Sequence, residues 1–254
     1  MLIDTHAHLQ MKDYDNDRDE VIARAVAEGV DLIINASFDL PSSQQAVELA
    51  EKYENLYAAV GVHPHDAKSL DDRTLDALQE LSKHPKVVAI GEIGLDFYRD
   101  LSPRPVQKSA FEKQLLLATE VGLPVVIHDR EAHEDTLEML KQHSDQVRGV
   151  MHCFSGDSDF ADRCIELGLH ISFTGPVTYP NSHQLREVVA HVQWDRFFVE
   201  TDCPYLTPQF KRGKRNEPAY VKAVAKKIAE IRHTTLPETA RRTTANAKAL
   251  FKIA

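Results

Sequence analysis

Eight short runs of β-branched and other apolar residues recur along this chain, separated by longer stretches with helical periodicity. That alternation restricts the fold more than any other feature of the sequence. The runs occupy 2–3, 31–35, 57–60, 87–90, 124–127, 149–151, 170–173 and 197–199. Helical patterns between them include 17–28, 41–53, 103–121 and 158–167, with two more, 218–232 and 236–252, after the eighth run. The clearest is 103–121, where Phe111, Leu115, Ala118 and Val121 recur at helical steps. Pro103 suits its first turn, and Gly122 followed by Pro124 ends it. Gly29 and Gly168 stop two others in the same way. Strands separated by helices imply parallel pairing through right-handed crossovers. Near-continuous apolar strands suit a sheet buried on both faces. Eight such units close most naturally into an α/β fold of the TIM type, a single (β/α)8 barrel domain over 1–254, although a doubly wound open sheet would also accept them.

Composition narrows the class. At 43% hydrophobic and 27% charged residues, the 254-residue chain can bury a sizeable core. Disorder, collagen-like repetition and a disulfide scaffold are excluded. No apolar run approaches the roughly 18 residues that span a bilayer, and Asp4 interrupts the start before any secretory h-region. Cys153, Cys164 and Cys203 make an odd count without a CxxC pair, which argues against disulfides and a zinc ribbon and for a reducing, cytoplasmic setting. The formal charge of −9 disfavours indiscriminate adhesion to nucleic acid or anionic membrane, yet leaves room for a local basic site.

Metal-ligand residue types stand where the strands end. His6 and His8 follow the first run, His63 and His65 the third, Glu92 the fourth, His128 the fifth, His152 the sixth, and Glu200 and Asp202 the eighth. In a barrel those ends share one rim, where catalytic groups converge. Residues two apart on extended backbone point to the same side, so His6 pairs with His8, and Glu200 with Asp202. Cys153 and Cys203 have the opposite parity to their neighbours and should pack against helices. Taken singly, each feature has an ordinary structural explanation. A lone histidine is more often a hydrogen-bonded structural residue, and a carboxylate after a strand more often caps the next helix. His84, His133, His143, His170, His183, His191 and His233 read as surface residues. The ordinary explanations must hold five separate times, always at the same rim, for the metal reading to fail.

Six ordered blocks then resemble the TatD family of metal-dependent hydrolases. They are Thr5-His6-Ala7-His8, Gly61-Val62-His63-Pro64-His65, Gly91-Glu92-Ile93-Gly94-Leu95-Asp96, Ile127-His128, His152-Cys153-Phe154-Ser155-Gly156 and Glu200-Thr201-Asp202-Cys203-Pro204. The resemblance implies an amidohydrolase-like barrel with two divalent ions, one held by His6, His8, Glu92 and Asp202, the other by Glu92, His128 and His152. Glu92 would bridge. The activity it implies is metal-dependent hydrolysis of DNA, 3′→5′ on single strands. Paired cations can stabilise both the attacking and the leaving oxygen of a phosphodiester, and water beside such an ion loses a proton more readily. Asp202, beside that water, is the candidate general base. Imidazoles favour zinc or manganese whereas carboxylates tolerate magnesium, so Mg²⁺, Mn²⁺ and Zn²⁺ all stay open.

For a polyanionic substrate the sequence offers Lys211, Arg212, Lys214 and Arg215, four cations within five residues beyond Asp202. The ordinary alternative is a solvated basic loop. His63, His65 and Arg130 are candidate phosphate contacts, and Tyr98 and Phe97 candidate stacking surfaces, Phe97 fitting the core better. The expected partner is therefore a nucleic acid, single-stranded DNA first, with no membrane and a monomer or weak homo-oligomer. Two other classes compete. An amidohydrolase or esterase, including a deacylase of mischarged tRNA, would use the same chemistry, although many small-molecule amidohydrolases carry a carbamylated lysine where Glu92 stands. A metal-binding module without turnover is the second, and it leaves the candidate base Asp202 without a role.

Overall fold

The computed structural model describes residues 1–143 and 147–253. Its strands are β1 (Leu2–Ala7), β2 (Val30–Ala36), β3 (Leu56–Val60), β4 (Val87–Asp96), β5 (Val125–Arg130), β6 (Gly149–Met151), β7 (His170–Phe173) and β8 (Phe197–Val199). They pair in parallel and in chain order. The seam between first and last is drawn together by a parallel bridge of Ala7 with Cys203. There the His8 N–H donates to the Cys203 carbonyl and the Asp202 N–H to the His6 carbonyl, both at 2.9 Å. The sheet is thus a (β/α)8 barrel, with α1 (Arg18–Ala27), α2 (Leu40–Lys52), α3 (Asp72–Leu81), α4 (Arg104–Val121), α5 (His133–Lys141), α6 (Ser158–Glu166), α7 (His183–His191) and α8 (Val221–Ile231) between and after the strands. A last helix, α9 (Leu236–Phe251), follows.

Strand alternation divides the core in two. Ile33, Val125, Ile127 and Phe197 pack outward against the helices. Ile34, Val126, Val150 and Phe198 pack inward, and Leu250, Phe251 and Ile253 at the end of α9 join them. The C-terminal helix therefore plugs one end of the barrel, each such buried side chain contributing roughly 1.5–3 kcal/mol. The opposite end stays open for polar groups.

Strict alternation would misplace two of those groups. With Ala89 inward and Ile90 outward, Glu92 would face the helices, but the pairing of β4 with β5 slips between Gly91 and Ile93. A second irregularity between Asp4 and Ala7 does the same for His6. Gly94 lets β4 continue beside β5. Its φ is +136°, and a Cβ there would lie 2.0 Å from the His128 carbonyl oxygen. Among the described residues no helix is long and apolar enough to cross a membrane.

Candidate metal centre

Glu92 is the hub of the open end. Its Oε2 lies 3.2 Å from His6 Nε2 and 3.7 Å from His8 Nε2. Its Oε1 lies 2.8 Å from His128 Nδ1, 3.3 Å from His63 Nε2 and 3.6 Å from His152 Nε2. Asp202 Oδ1 approaches from the far side, 3.3 Å from His8 Nε2 and 3.8 Å from His6 Nε2. The six expected ligands, from β1, β4, β5 and the turns after β1, β6 and β8, are brought together, and all but the fully buried His6 line a cavity of roughly 670 Å³.

The histidines are oriented from behind. His8 Nδ1 donates to the Ala36 carbonyl at 2.9 Å, and His152 Nδ1 to Glu200 Oε1 at 2.7 Å. His128 Nε2 faces Asp96 Oδ2 at 3.1 Å. A carbonyl or carboxylate oxygen only accepts, so His8 and His152 when neutral carry their lone pair on Nε2, whereas His128, set between Glu92 Oε1 and Asp96 Oδ2, donates to both carboxylates. This is the arrangement by which outer partners orient metal-ligating imidazoles. His6 and His8 bring their Nε2 atoms within 3.1 Å of each other, and His6 Nδ1 is buried without a hydrogen-bond partner. Imidazole nitrogens and carboxylate oxygens massed in one buried space are a donor set that fits a divalent cation.

The electrostatics follow from burial and pairing. Burial pushes Glu92 up, but the imidazoles of His63, His152 and His6 and the hydrogen bond with His128 outweigh it and hold the carboxyl well below its usual range. His152 is depressed by burial and lifted further by Glu200 and Glu92, to about 10. His128 is likewise lifted, against burial, to about 9 by Asp96 and Glu92. Burial brings His6 down, and brings His63 down to about 4. Beneath the site, burial raises Asp4 to about 8, where its carboxyl ties β1 to the turn after β8 through the Thr201 hydroxyl at 2.6 Å.

The TatD related DNase family model matches residues 3–252. The chain belongs to that family. It is 50% identical over 254 residues to the uncharacterized metal-dependent hydrolase YabD of Bacillus subtilis, covering 100% of both chains. It is 38% identical to the 3′-5′ ssDNA/RNA exonuclease TatD of Klebsiella pneumoniae, covering 99% of this chain and 98% of that protein. The crystal structure of YjjV, a TatD homologue from Escherichia coli K12, superposes with a TM-score of 0.94 at 33% identity over 100% of this chain and 98% of that one. The protein is a metal-dependent hydrolase, and its histidine and carboxylate clusters are of the kind that could hold the metal.

Other features of this TatD-family hydrolase differ from the sequence expectations. Cys153 lines the cavity instead of facing the helices, because β6 ends at Met151 and a φ of +47° at Cys153 breaks the alternation. His170 is half-buried in β7 and stacked on Phe198. His65 lines the cavity but turns its Nε2 to Asp96 Oδ2, 2.8 Å away. Arg130 lines it too, its guanidinium 4.0 Å from the centre of the Tyr98 ring. The basic loop takes another course. Lys211, Arg212, Lys214 and Arg215 are exposed and do not line the cavity. Arg212 covers the Tyr179 ring, and Arg215 pairs with both Asp17 oxygens at 2.8 and 2.6 Å. Residues absent from the expected site are Glu200 and Asp96, which orient histidines, and Arg99 and Tyr205 on the cavity wall. Glu200 had a signal, its parity with Asp202. Arg99 had none.

Proposed function

We propose that this hydrolase cleaves phosphodiester bonds of single-stranded nucleic acid from the 3′ end, DNA first, with two divalent cations sharing Glu92. The observation that carries the reading is the division of Glu92 between two sets of nitrogens, Oε2 toward His6 and His8 and Oε1 toward His128 and His152. Asp202 completes the first set. The 3′-5′ exonuclease relatives at 38% identity support the substrate class. Bound divalent cations supply Lewis acidity toward phosphoryl oxygens and make water a better nucleophile near neutral pH. Asp202, whose side chain is 13% exposed against 5% for Glu92, is the carboxylate that water reaches and the acceptor for the proton of the attacking water. Arg99 and Arg130 line the same cavity and hold a phosphate by charge-assisted hydrogen bonds. Tyr205, half-exposed beside Asp202, offers a ring for the terminal base.

The test is a 5′-labelled single-stranded oligonucleotide incubated with Mg²⁺ or Mn²⁺. The expected result is a ladder shortening from the 3′ end, stopped by chelation and lost in Glu92→Gln. A label released without a ladder, or an unchanged rate in Glu92→Gln, would overturn the proposal.

A further inference from the structure

We propose that His63 is a positioning residue, locked as the Nε2–H tautomer, that donates a hydrogen bond to the shared carboxylate of Glu92 and does not ligate a cation. The proposal rests on the metal-centre reading above. Proximity alone says otherwise, since His63, Glu92 and His128 offer ligand atoms within 4.8 Å of one another.

The opposite face of the ring decides. His63 Nδ1 accepts the backbone N–H of His65 at 3.1 Å. A backbone N–H cannot accept, so the lone pair of the ring sits on Nδ1 and its proton on Nε2, 3.3 Å from Glu92 Oε1. Ligation through Nε2 would move the proton to Nδ1, where it would confront the His65 N–H. That would cost a hydrogen bond at a residue 7% exposed. His8 and His152 have acceptors behind them, so in the neutral form that ligation requires their lone pairs lie in front, the reverse polarity.

The local sequence accounts for the difference. His63 precedes Pro64, which has no N–H, so the first amide of the 3-10 turn Pro64–Ser69 free to reach back is that of His65. The same His-Pro-Xaa unit recurs at 84–86, remote from the cavity. There the Lys86 N–H donates to His84 Nδ1 at 3.2 Å and His84 Nε2 faces Glu51 Oε1 at 3.1 Å. The tautomer is thus set by the turn and needs no cation. In the cavity its effect is to fix the rotation of Glu92, leaving Oε2 to His6 and His8.

The experiment uses the full chain, labelled with ¹⁵N-histidine and loaded with Zn²⁺, in long-range ¹H–¹⁵N spectra. His63 is expected to show a protonated Nε2 and a bare Nδ1, opposite to His8 and His152. His63→Gln and His63→Leu should bind as many Zn²⁺ equivalents as the parent. The Leu variant should bind them about 10–100-fold more weakly, and the Gln variant, whose amide can still donate, near the parental affinity. A proton on Nδ1 of His63, a lost zinc equivalent in both variants, or parental affinity in the Leu variant would overturn the proposal. Spectra and stoichiometry do not depend on turnover, so a failure to cleave nucleic acid would count against the proposed activity alone.

Discussion

Glu92 and Asp202 carry the same functional group, and their surroundings give them different work. Glu92 is enclosed by imidazoles that favour its charge, whereas Asp202 opens to the cavity. The same test of surroundings separates the arginines. Arg215 is engaged by Asp17 and stacked over Tyr14, so removing it should lower stability and leave substrate binding alone. Arg99 and Arg130 face the cavity with no carboxylate partner among the described contacts. Arg99→Ala and Arg130→Ala should each raise KM for a single-stranded oligonucleotide about 10-fold, the worth of one charge-assisted hydrogen bond. Each should also flatten the dependence of log KM on log salt by about 0.7. Steady-state kinetics at several salt concentrations checks this, and an Arg215→Ala effect on KM larger than that of Arg99→Ala would reverse the assignment.

At the scale of elements, the eight strands were legible because inward and outward neighbours are both apolar, as Val125, Val126 and Ile127 are. Their full extent was not. β4 reaches Asp96 and β5 reaches Arg130, ten and six residues, because Glu92, Asp96 and His128 satisfy one another and do not read as strand by hydrophobicity. The gathering of histidines and carboxylates at the strand ends was legible as well, from their places after the apolar runs, but the slips that turn Glu92 and His6 inward were not, because parity alone would have pointed both at the helices. The course of the long connection from Asp202 to α8 is decided by tertiary pairs such as Arg215 with Asp17, which no spacing encodes. A similar pair fixes the start of α5, where His133 Nδ1 meets Asp129 Oδ2 at 2.7 Å and the ring stacks on Phe160. The bond with Asp129, against partial burial, raises the His133 pKa above its usual 6.5. A raised folded-state value stabilises fully below the unfolded value and ceases to as pH climbs through the folded one. The deficit in Tm of His133→Ala should therefore be larger at pH 6 than at pH 9, by about 1–3 °C for a ring still partly open to solvent. Thermal scans at both pH values check it, and a deficit that is constant or grows with pH would mean that the ring acts through stacking alone.

For the molecule as a whole, the candidate ligands lie on or just after β1, β4, β5, β6 and β8, so a bound cation would join strands that are not all neighbours in the sheet. The barrel is plugged by α9 at the other end and does not need the cations to form its apolar core. Chelation should therefore lower stability without unfolding the chain. A cation that binds only the folded state stabilises it by RT ln(1 + [M]/Kd), about 2.7 kcal/mol at a hundredfold excess over Kd. For a chain of this size that corresponds to a Tm rise of roughly 5–10 °C on adding metal to chelated protein. Glu92→Gln should lose most of the rise because Glu92 serves both of the proposed cation positions. Asp202→Ala should lose only part of it, because His128 and His152 keep their half of Glu92. Calorimetry of the three proteins, with and without Mn²⁺ or Zn²⁺, gives the comparison. Equal losses in both variants would point to one indivisible cation position, and no rise in the parent protein would remove the cations from the mechanism.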